Sequence, residues 1–198
     1  LLGGNLVKSL TTVIAAAGIG KAISATLMEG ANLQQSLGGI ETLFKDDADK
    51  VKQYATQAYE SAGLSANDYM ETVTSFSASL LQSMGGDTAA AADVANMALI
   101  DMSDNANKFG TSMESIQDAY KGFAKQNYTM LDNLSLGYGG TKTEMARLLK
   151  DAQALSGVEY NIDNLDDIYN AINVIQTEMG VTGTTALEAA ETFSGSLA

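Results

Sequence analysis

The sequence predicts an all-α protein: a compact multi-helix bundle of seven to eight helices, joined by short Gly-containing segments and without a sheet. Apolar residues recur along most of the chain at the three- and four-residue spacing of a helix face. The 198 residues include no Pro, the residue that most strongly interrupts helix interiors. A Gly or a capping sequence arrives about every 15 to 25 residues, the usual spacing of helices in a folded bundle.

Three amphipathic stretches form the first part of the predicted bundle. They cover residues 47–62, the segment from 65 to 86, and an Ala-rich segment that ends near 110. Their start and stop signals are Gly63, a capping box of Ser65 with Asp68, the pair Gly85-Gly86, Asp87 or Thr88, and Gly110. Their predicted core positions are Val51, Tyr54, Ala55, Ala58, Tyr59, Ala62, Tyr69, Val73, Phe76, Leu80, Met84, Val94, Ala98, Met102 and Phe109.

Four further helices are predicted in the second part of the chain. Residues 158–162 between them alternate polar and apolar side chains, as in an extended connector too short for a sheet. The helix signals are capping boxes of Thr111 with Glu114 and Thr141 with Glu144, then Gly157 and Gly180, with a last helix near 184–198. The predicted core positions are Met113, Ile116, Tyr120, Phe123, Met145, Leu148, Leu149, Ala152, Leu155, Leu165, Ile168, Ile172, Ile175 and Met179.

Two regions of different character divide the chain. Residues 40–198 form the predicted helical core domain, whereas residues 1–39 are a Gly/Ala-rich apolar segment. Within it, residues 10–27 carry Lys21 as their only charge. A helix that packs through small residues is the simpler interpretation, and a membrane-active segment is the alternative, although the run is shorter than the roughly 20 residues of an ideal span. Since the chain stops inside a predicted helix, we expect it to be a piece of a longer protein.

The charge distribution and the missing residue types exclude several functions. The net charge is −13, and residues 1–39 hold Lys8, Lys21 and Glu29 for a net +1, so residues 40–198 carry −14. Such an acidic body repels phosphate backbones, and direct nucleic-acid binding is not expected. The absence of His and Cys excludes Ser-His-Asp and Cys-His catalysis, Cys/His zinc sites and disulfides.

No cofactor or metal site is predicted from the polar motifs. The turn Gly137–Thr141 leads into a helix like an anion-binding loop, but it lacks the order of a P-loop, and a tight turn before a Thr N-cap explains it better. None of the carboxylate clusters has the spacing of an EF-hand, and the first and third lie at predicted helix starts, where the helix dipole favours them. These clusters are Asp46, Asp47 and Asp49; Asp101 and Asp104; and Asp163, Asp166 and Asp167.

Four strings of sequence carry a resemblance to a known family. They are QQSLGGIETLF at 34–44, SFSASLLQSMGGD at 75–87, DMSDNANKFGT at 101–111 and YKGFAKQNYTMLDNLSLGYGGTKTEM at 120–145. Together they resemble the core region of phage and prophage tail tape measure proteins, minor tail proteins that span the tail tube. The resemblance runs from about Ala31 to the end and is densest from Ser75 to Met145.

The resemblance implies a structural role without catalytic residues. A protein of this family packs along the tail axis, helps set tail length during assembly and leaves the tube ahead of the DNA. The implied partners are the tail tube protein, tail assembly chaperones and other tape measure copies, with possible host membrane contact through residues 10–27. The implied location is the virion tail, inside the tube, after assembly in the host cytoplasm. No a/d heptad persists over several repeats, so we expect a compact domain rather than an extended ruler.

The link between the two halves of the fourth string supplies the candidate site residues. Their side chains are polar or aromatic and lie off the helical stripes, so they either hydrogen-bond the link in place or contact a partner. We predict partner contact, because the same segment is the focus of the resemblance. The residues are Gln126, Asn127, Tyr128, Asn133 and Tyr138.

Two alternative functions belong to other classes. Some tape measure proteins carry cell-wall hydrolase domains, and a lytic transglycosylase-like reaction needs a carboxylic acid in an apolar cleft. Glu144, next to Tyr138 and the Gly-rich turn, is the only Glu in a plausible setting, although its capping role explains it more simply. The other alternative is a membrane-inserting channel module built on residues 10–27.

Overall fold

The fold is all-helical, as the sequence predicts. The computed structural model describes residues 30–196, so the predicted apolar segment 10–27 lies outside the described residues. Within 30–196 there are eight α-helices, two 3₁₀ turns and no strand. The helices are α1 Gly30–Phe44, α2 Ala48–Ala62, α3 Ala66–Ser83, α4 Thr88–Phe109, α5 Met113–Phe123, α6 Lys142–Ser156, α7 Leu165–Glu178 and α8 Thr184–Ser196, and the 3₁₀ turns are Lys45–Asp47 and Leu131–Leu134.

The first helix is part of the same core as the helices that follow it. α1 runs across residues 39 and 40, where the two predicted regions meet, and buries Leu33 and Phe44 on either side of that point. It packs against α3, and a Cβ at Gly39 would lie 3.2 Å from Cγ2 of Thr74. A residue without a side chain therefore brings α1 and α3 close together at this point.

Aromatic side chains fill the centre of the bundle. Tyr169 of α7 is fully buried, with its ring centroid 5.1 Å from that of Tyr120 in α5 and 5.6 Å, edge-on, from that of Phe76 in α3. Its hydroxyl donates a hydrogen bond to the Tyr120 carbonyl oxygen at 3.0 Å. Three helices distant in sequence therefore meet at one side chain, which combines ring packing with a satisfied polar atom.

Three of the four predicted helix caps are present, whereas α2 and α7 begin without a side-chain cap. The side chains of Ser65, Asp87 and Thr141 each accept a hydrogen bond from the backbone N–H three residues on, at 3.0 to 3.1 Å. The predicted capping box of Thr111 is wrong by one residue: Ser112 is the N-cap and accepts from the Ser115 N–H at 3.3 Å. Ser112 has the extended backbone that an N-cap needs, and α5 accordingly begins at Met113.

Four predicted core positions are exposed instead. Tyr59, Phe109, Leu155 and Met179 all lie in the last turn of a helix or just beyond it, and Tyr59 is 72% exposed. Each apolar stripe continues past the point where the neighbouring helices cover it. Helical periodicity identifies a face but does not show where along that face the packing stops.

Candidate functional site

The link between α5 and α6 is tied to the bundle by its aromatic residues. Tyr128 is 5% exposed, its ring stacks on Phe123 with centroids 6.3 Å apart, and its hydroxyl donates to the Ile162 carbonyl at 3.3 Å. Asn133 donates from Nδ2 to the Ser115 carbonyl at 3.5 Å. Both residues therefore hold the link against neighbouring elements, the first of the two roles that the sequence allows.

Two of the predicted contact residues point outward from the link. Gln126 and Asn127 are exposed, and Gln126 adopts a positive φ of 56°. The Oδ1 atom of Asn127 accepts from the backbone N–H and the hydroxyl of Thr129, at 3.1 and 2.8 Å. Both residues shape an exposed turn. Contact with a partner through this turn stays a prediction.

The Gly-rich turn is closed by a cluster of charged side chains. Arg147 donates to the Gly137 carbonyl at 2.8 Å and to Glu144 at 2.7 Å, and its guanidinium carbon lies 4.2 Å from the ring centroid of Tyr138. The Tyr138 hydroxyl donates to Oδ2 of Asp151 at 2.7 Å. Tyr138 is therefore packed and bonded within the molecule, between the turn and α6.

The environment of Glu144 suits a structural carboxylate. Besides the Arg147 guanidinium, Glu144 accepts from the Gly139 backbone N–H at 3.0 Å. The hydrogen bond from Arg147, and secondly that from Gly139, lower the pKa of Glu144 to about 2. A general acid for glycoside cleavage needs the opposite, a carboxyl whose pKa is raised in an apolar pocket. Glu144 also occupies a backbone N–H that an anion at this turn would need.

A buried polar cluster joins α4 to α7. Asn105 donates both amide hydrogens, to Oε1 of Gln176 at 2.7 Å and to the Leu134 carbonyl at 2.9 Å, and Gln176 donates to the Asp101 carbonyl at 3.1 Å. Asn173 donates to Oδ1 of Asp101 at 3.0 Å. The three contacts between α4 and α7 connect residues more than 70 positions apart. Together with the bond to Leu134, they hold the two helices and the 3₁₀ turn together.

Two carboxylates are buried in this cluster. Asp101 and Asp104 are at most 1% exposed, and no basic side chain of the described residues forms an ion pair with either. Oδ2 of Asp101 has no hydrogen-bond partner in the described part of the chain. Burial raises the pKa of Asp101 to about 7, the charge of Asp104 adds to the rise, and the hydrogen bond from Asn173 opposes it.

This pKa predicts that the fold loses stability as the pH rises from about 4 to about 7, and that the loss levels off above pH 7. Asp101 binds its proton more tightly in the folded chain, so its contribution is fully present below pH 4 and is lost as the pH rises through about 7. We expect the free energy of unfolding to fall by about 1 kcal/mol between pH 6 and 8, measured by urea denaturation at pH 6, 7 and 8. The Asp101→Asn variant, which imitates the protonated acid, should remove this part of the pH dependence. An unchanged slope in the variant would show that other groups cause it.

The sequence signals the two aspartates of this cluster but not its partners. Asp101 and Asp104 are visible as an acidic pair, whereas Asn173 and Gln176 lie among ordinary polar positions of a later helix. Within residues 30–196, no group of three or more acidic side chains is placed to hold a metal ion. None of the helices described in that range is long and apolar enough to cross a membrane.

Comparison with known proteins adds no assignment. No protein-family model, no curated protein and no solved structure matches the chain. The described polar and aromatic groups mainly stabilise a helical domain. They do so in the packed link, in the closed Gly-rich turn and in the buried polar cluster.

Proposed function

We propose that the chain is a helical core domain of a phage or prophage tail tape measure protein, with a structural role in tail assembly and genome ejection. The proposal is carried by the resemblance of its four strings to that family. The all-helical bundle is compatible with it. Inside the tail tube, the domain would contact the tube protein and other tape measure copies, and tail assembly chaperones in the host cytoplasm before that.

The positions of the four strings in the fold support a structural role. The third and fourth strings are joined directly, by the hydrogen bond from Asn105 to the Leu134 carbonyl. The first contributes Phe44, and the second Phe76, to the common core. Each of the four strings thus contributes residues that pack the bundle, as expected of a structural domain.

The charge of the domain suits a protein that leaves the tube ahead of DNA. Residues 40–198 carry a net charge of −14, from the chain total of −13 less the +1 of residues 1–39. A surface of this sign repels the phosphate backbone, so the domain would not adhere to the following genome.

The alternatives gain no support from a described contact. A transglycosylase acid at Glu144 conflicts with the ion pair to Arg147, which stabilises the ionised carboxylate. The membrane module depends on residues 10–27, outside the described range. The contacts of Glu144 therefore support a structural role over catalysis at this residue.

An in-frame deletion of residues 30–196 from the gene that encodes the chain tests the proposal, with tails measured by negative-stain electron microscopy. We expect tails of unchanged length that have lost infectivity, because a compact domain contributes little to the length of a ruler. If the segment is instead an extended helix in the tail, tails should shorten by about 1.5 Å per deleted residue, or about 250 Å in all.

A point variant provides the matched control for this deletion. Tyr169→Ala removes a central core ring without shortening the chain. If the folded domain is what matters, the variant should lose infectivity as the deletion does, again with normal tail length. Shortened tails in the deletion and normal phage in the variant would overturn the compact-domain proposal, and full infectivity in both would overturn a role in the tail.

A further inference from the structure

The last helix contributes little to the core. Of the residues Thr184–Glu191 of α8, none is fully buried, and Leu187 is 65% exposed. The hydroxyl oxygen of Thr185 is buried without a hydrogen-bond partner among the described residues, which costs free energy on docking. Apolar burial by this stretch therefore contributes little free energy to the docking of α8 against α2 and α4.

One buried carboxylate holds the N-terminus of this helix. Asp104 of α4 accepts from the Gly183 N–H through Oδ2 at 2.6 Å and from the Thr185 N–H through Oδ1 at 2.9 Å. The Thr184 hydroxyl donates to the Asp104 carbonyl at 3.3 Å. Charge-assisted bonds to backbone N–H groups at a helix N-terminus are among the stronger polar contacts, so Asp104 anchors the N-terminal end of α8.

The segment before α8 has the features of a hinge. Gly180 and Gly183 have φ values of +67° and +88°, and they flank Val181, which is fully buried. The end of α7 is completed before this point, because the Gly180 and Val181 N–H groups already bond to the Thr177 and Gln176 carbonyls at 3.1 and 2.8 Å. The closing of α7 therefore does not depend on α8.

We propose that α8 is a separable helix, which releases from α2 and α4 as a unit at Gly183 while α1 to α7 stay folded, and that Asp104 controls this release. Release frees the Asp104 carboxylate from the Gly183 and Thr185 N–H groups and leaves it as an open acceptor. The domain then has two conformations that differ in the position of α8. A group that binds the Asp104 carboxylate would shift the equilibrium toward the released conformation.

Hydrogen exchange followed by mass spectrometry on the full chain tests the proposal. In the wild type, amides of 186–191 should exchange at least about a hundredfold faster than those in the middle of α4 and α7, as expected for a local opening. Asp104→Asn replaces one acceptor by a donor and removes the charge, so we expect about tenfold faster exchange again in 183–191, with α3 and α7 unchanged.

Asp93→Asn is the matched control on the same helix. Asp93 pairs with Lys50 and Tyr54, so its replacement should leave the exchange of α8 as in the wild type. Equal protection of α8 and α4 in the wild type would overturn the proposal, and so would an Asp104→Asn variant that accelerates α4, α7 and α8 together. If that variant does not fold, the wild-type rates alone decide between a separable and an integral α8.

Discussion

Replacement of Tyr169 by Ala is expected to lower the free energy of unfolding by about 4 kcal/mol. The side chain is fully buried between Phe76 and Tyr120, which lie on two other helices. Its loss leaves a large cavity at the centre of the bundle, which rigid helices fill only partly. Chemical denaturation followed by circular dichroism measures the change.

The Tyr169→Phe variant separates the contribution of the ring to stability from that of the hydroxyl group. The variant keeps the ring contacts and loses the hydrogen bond to the Tyr120 carbonyl, which also accepts from the Ala124 N–H at 3.1 Å. We expect a loss of about 1 kcal/mol, the typical value for one such bond. If Tyr169→Ala costs no more than this, the ring does not hold the helices together as described.

Replacement of Gly140 by Ala is expected to cost about 3 kcal/mol, at the upper end for an overpacked site. A Cβ at this position would lie 2.2 Å from the Thr129 carbonyl oxygen and 2.9 Å from its carbon. Because these are backbone atoms of the link, the clash can be relieved only if the link or the start of α6 moves. Thermal and chemical denaturation of the variant measure the loss.

The neighbouring Gly139 is the control for this substitution. A Cβ at Gly139 would meet Cγ of Glu144 at 3.5 Å, an ordinary contact, and neither glycine has a positive φ. Gly139→Ala should therefore cost less than about 1 kcal/mol, the usual range for a substitution without a clash. Similar losses in both variants would mean that the flexibility of the turn, and not the close approach to Thr129, decides the outcome.

The helices are predictable because their signals are local. Apolar spacing identifies the faces of α2 to α7, and Ser65, Asp87 and Thr141 cap within three residues of their own position in the chain. Tyr59 shows the limit of this information. Tyr59 lies on the apolar face of α2, yet it is exposed. Whether another helix covers a position on this face depends on how the bundle is assembled.

The buried polar cluster is not predictable in the same way. Asp101 and Asn105 lie on α4 among residues typical of a solvated face, and their burial depends on α7, with Asn173 and Gln176 more than 70 residues later. Tyr128 and Tyr138 show the related ambiguity for aromatic residues in a link. The sequence indicates that such residues need partners but not that Ile162 and Asp151 supply them.

The hydrogen bonds between α4 and α7 also determine how these two helices align. α4 has an Ala-rich surface at its start, with Ala91, Ala95 and Ala98 all buried, and surfaces of this kind offer few large side chains to prevent sliding. A shift of one turn, about 5.4 Å, would separate Asn105 from Gln176 and leave both amides unpaired in an apolar environment, at a cost of about 1 to 3 kcal/mol for each group. The polar contacts thus act together with the packing of Tyr169 to select a single alignment of α4 and α7, so that a chain that unfolds and folds again returns to the same packing.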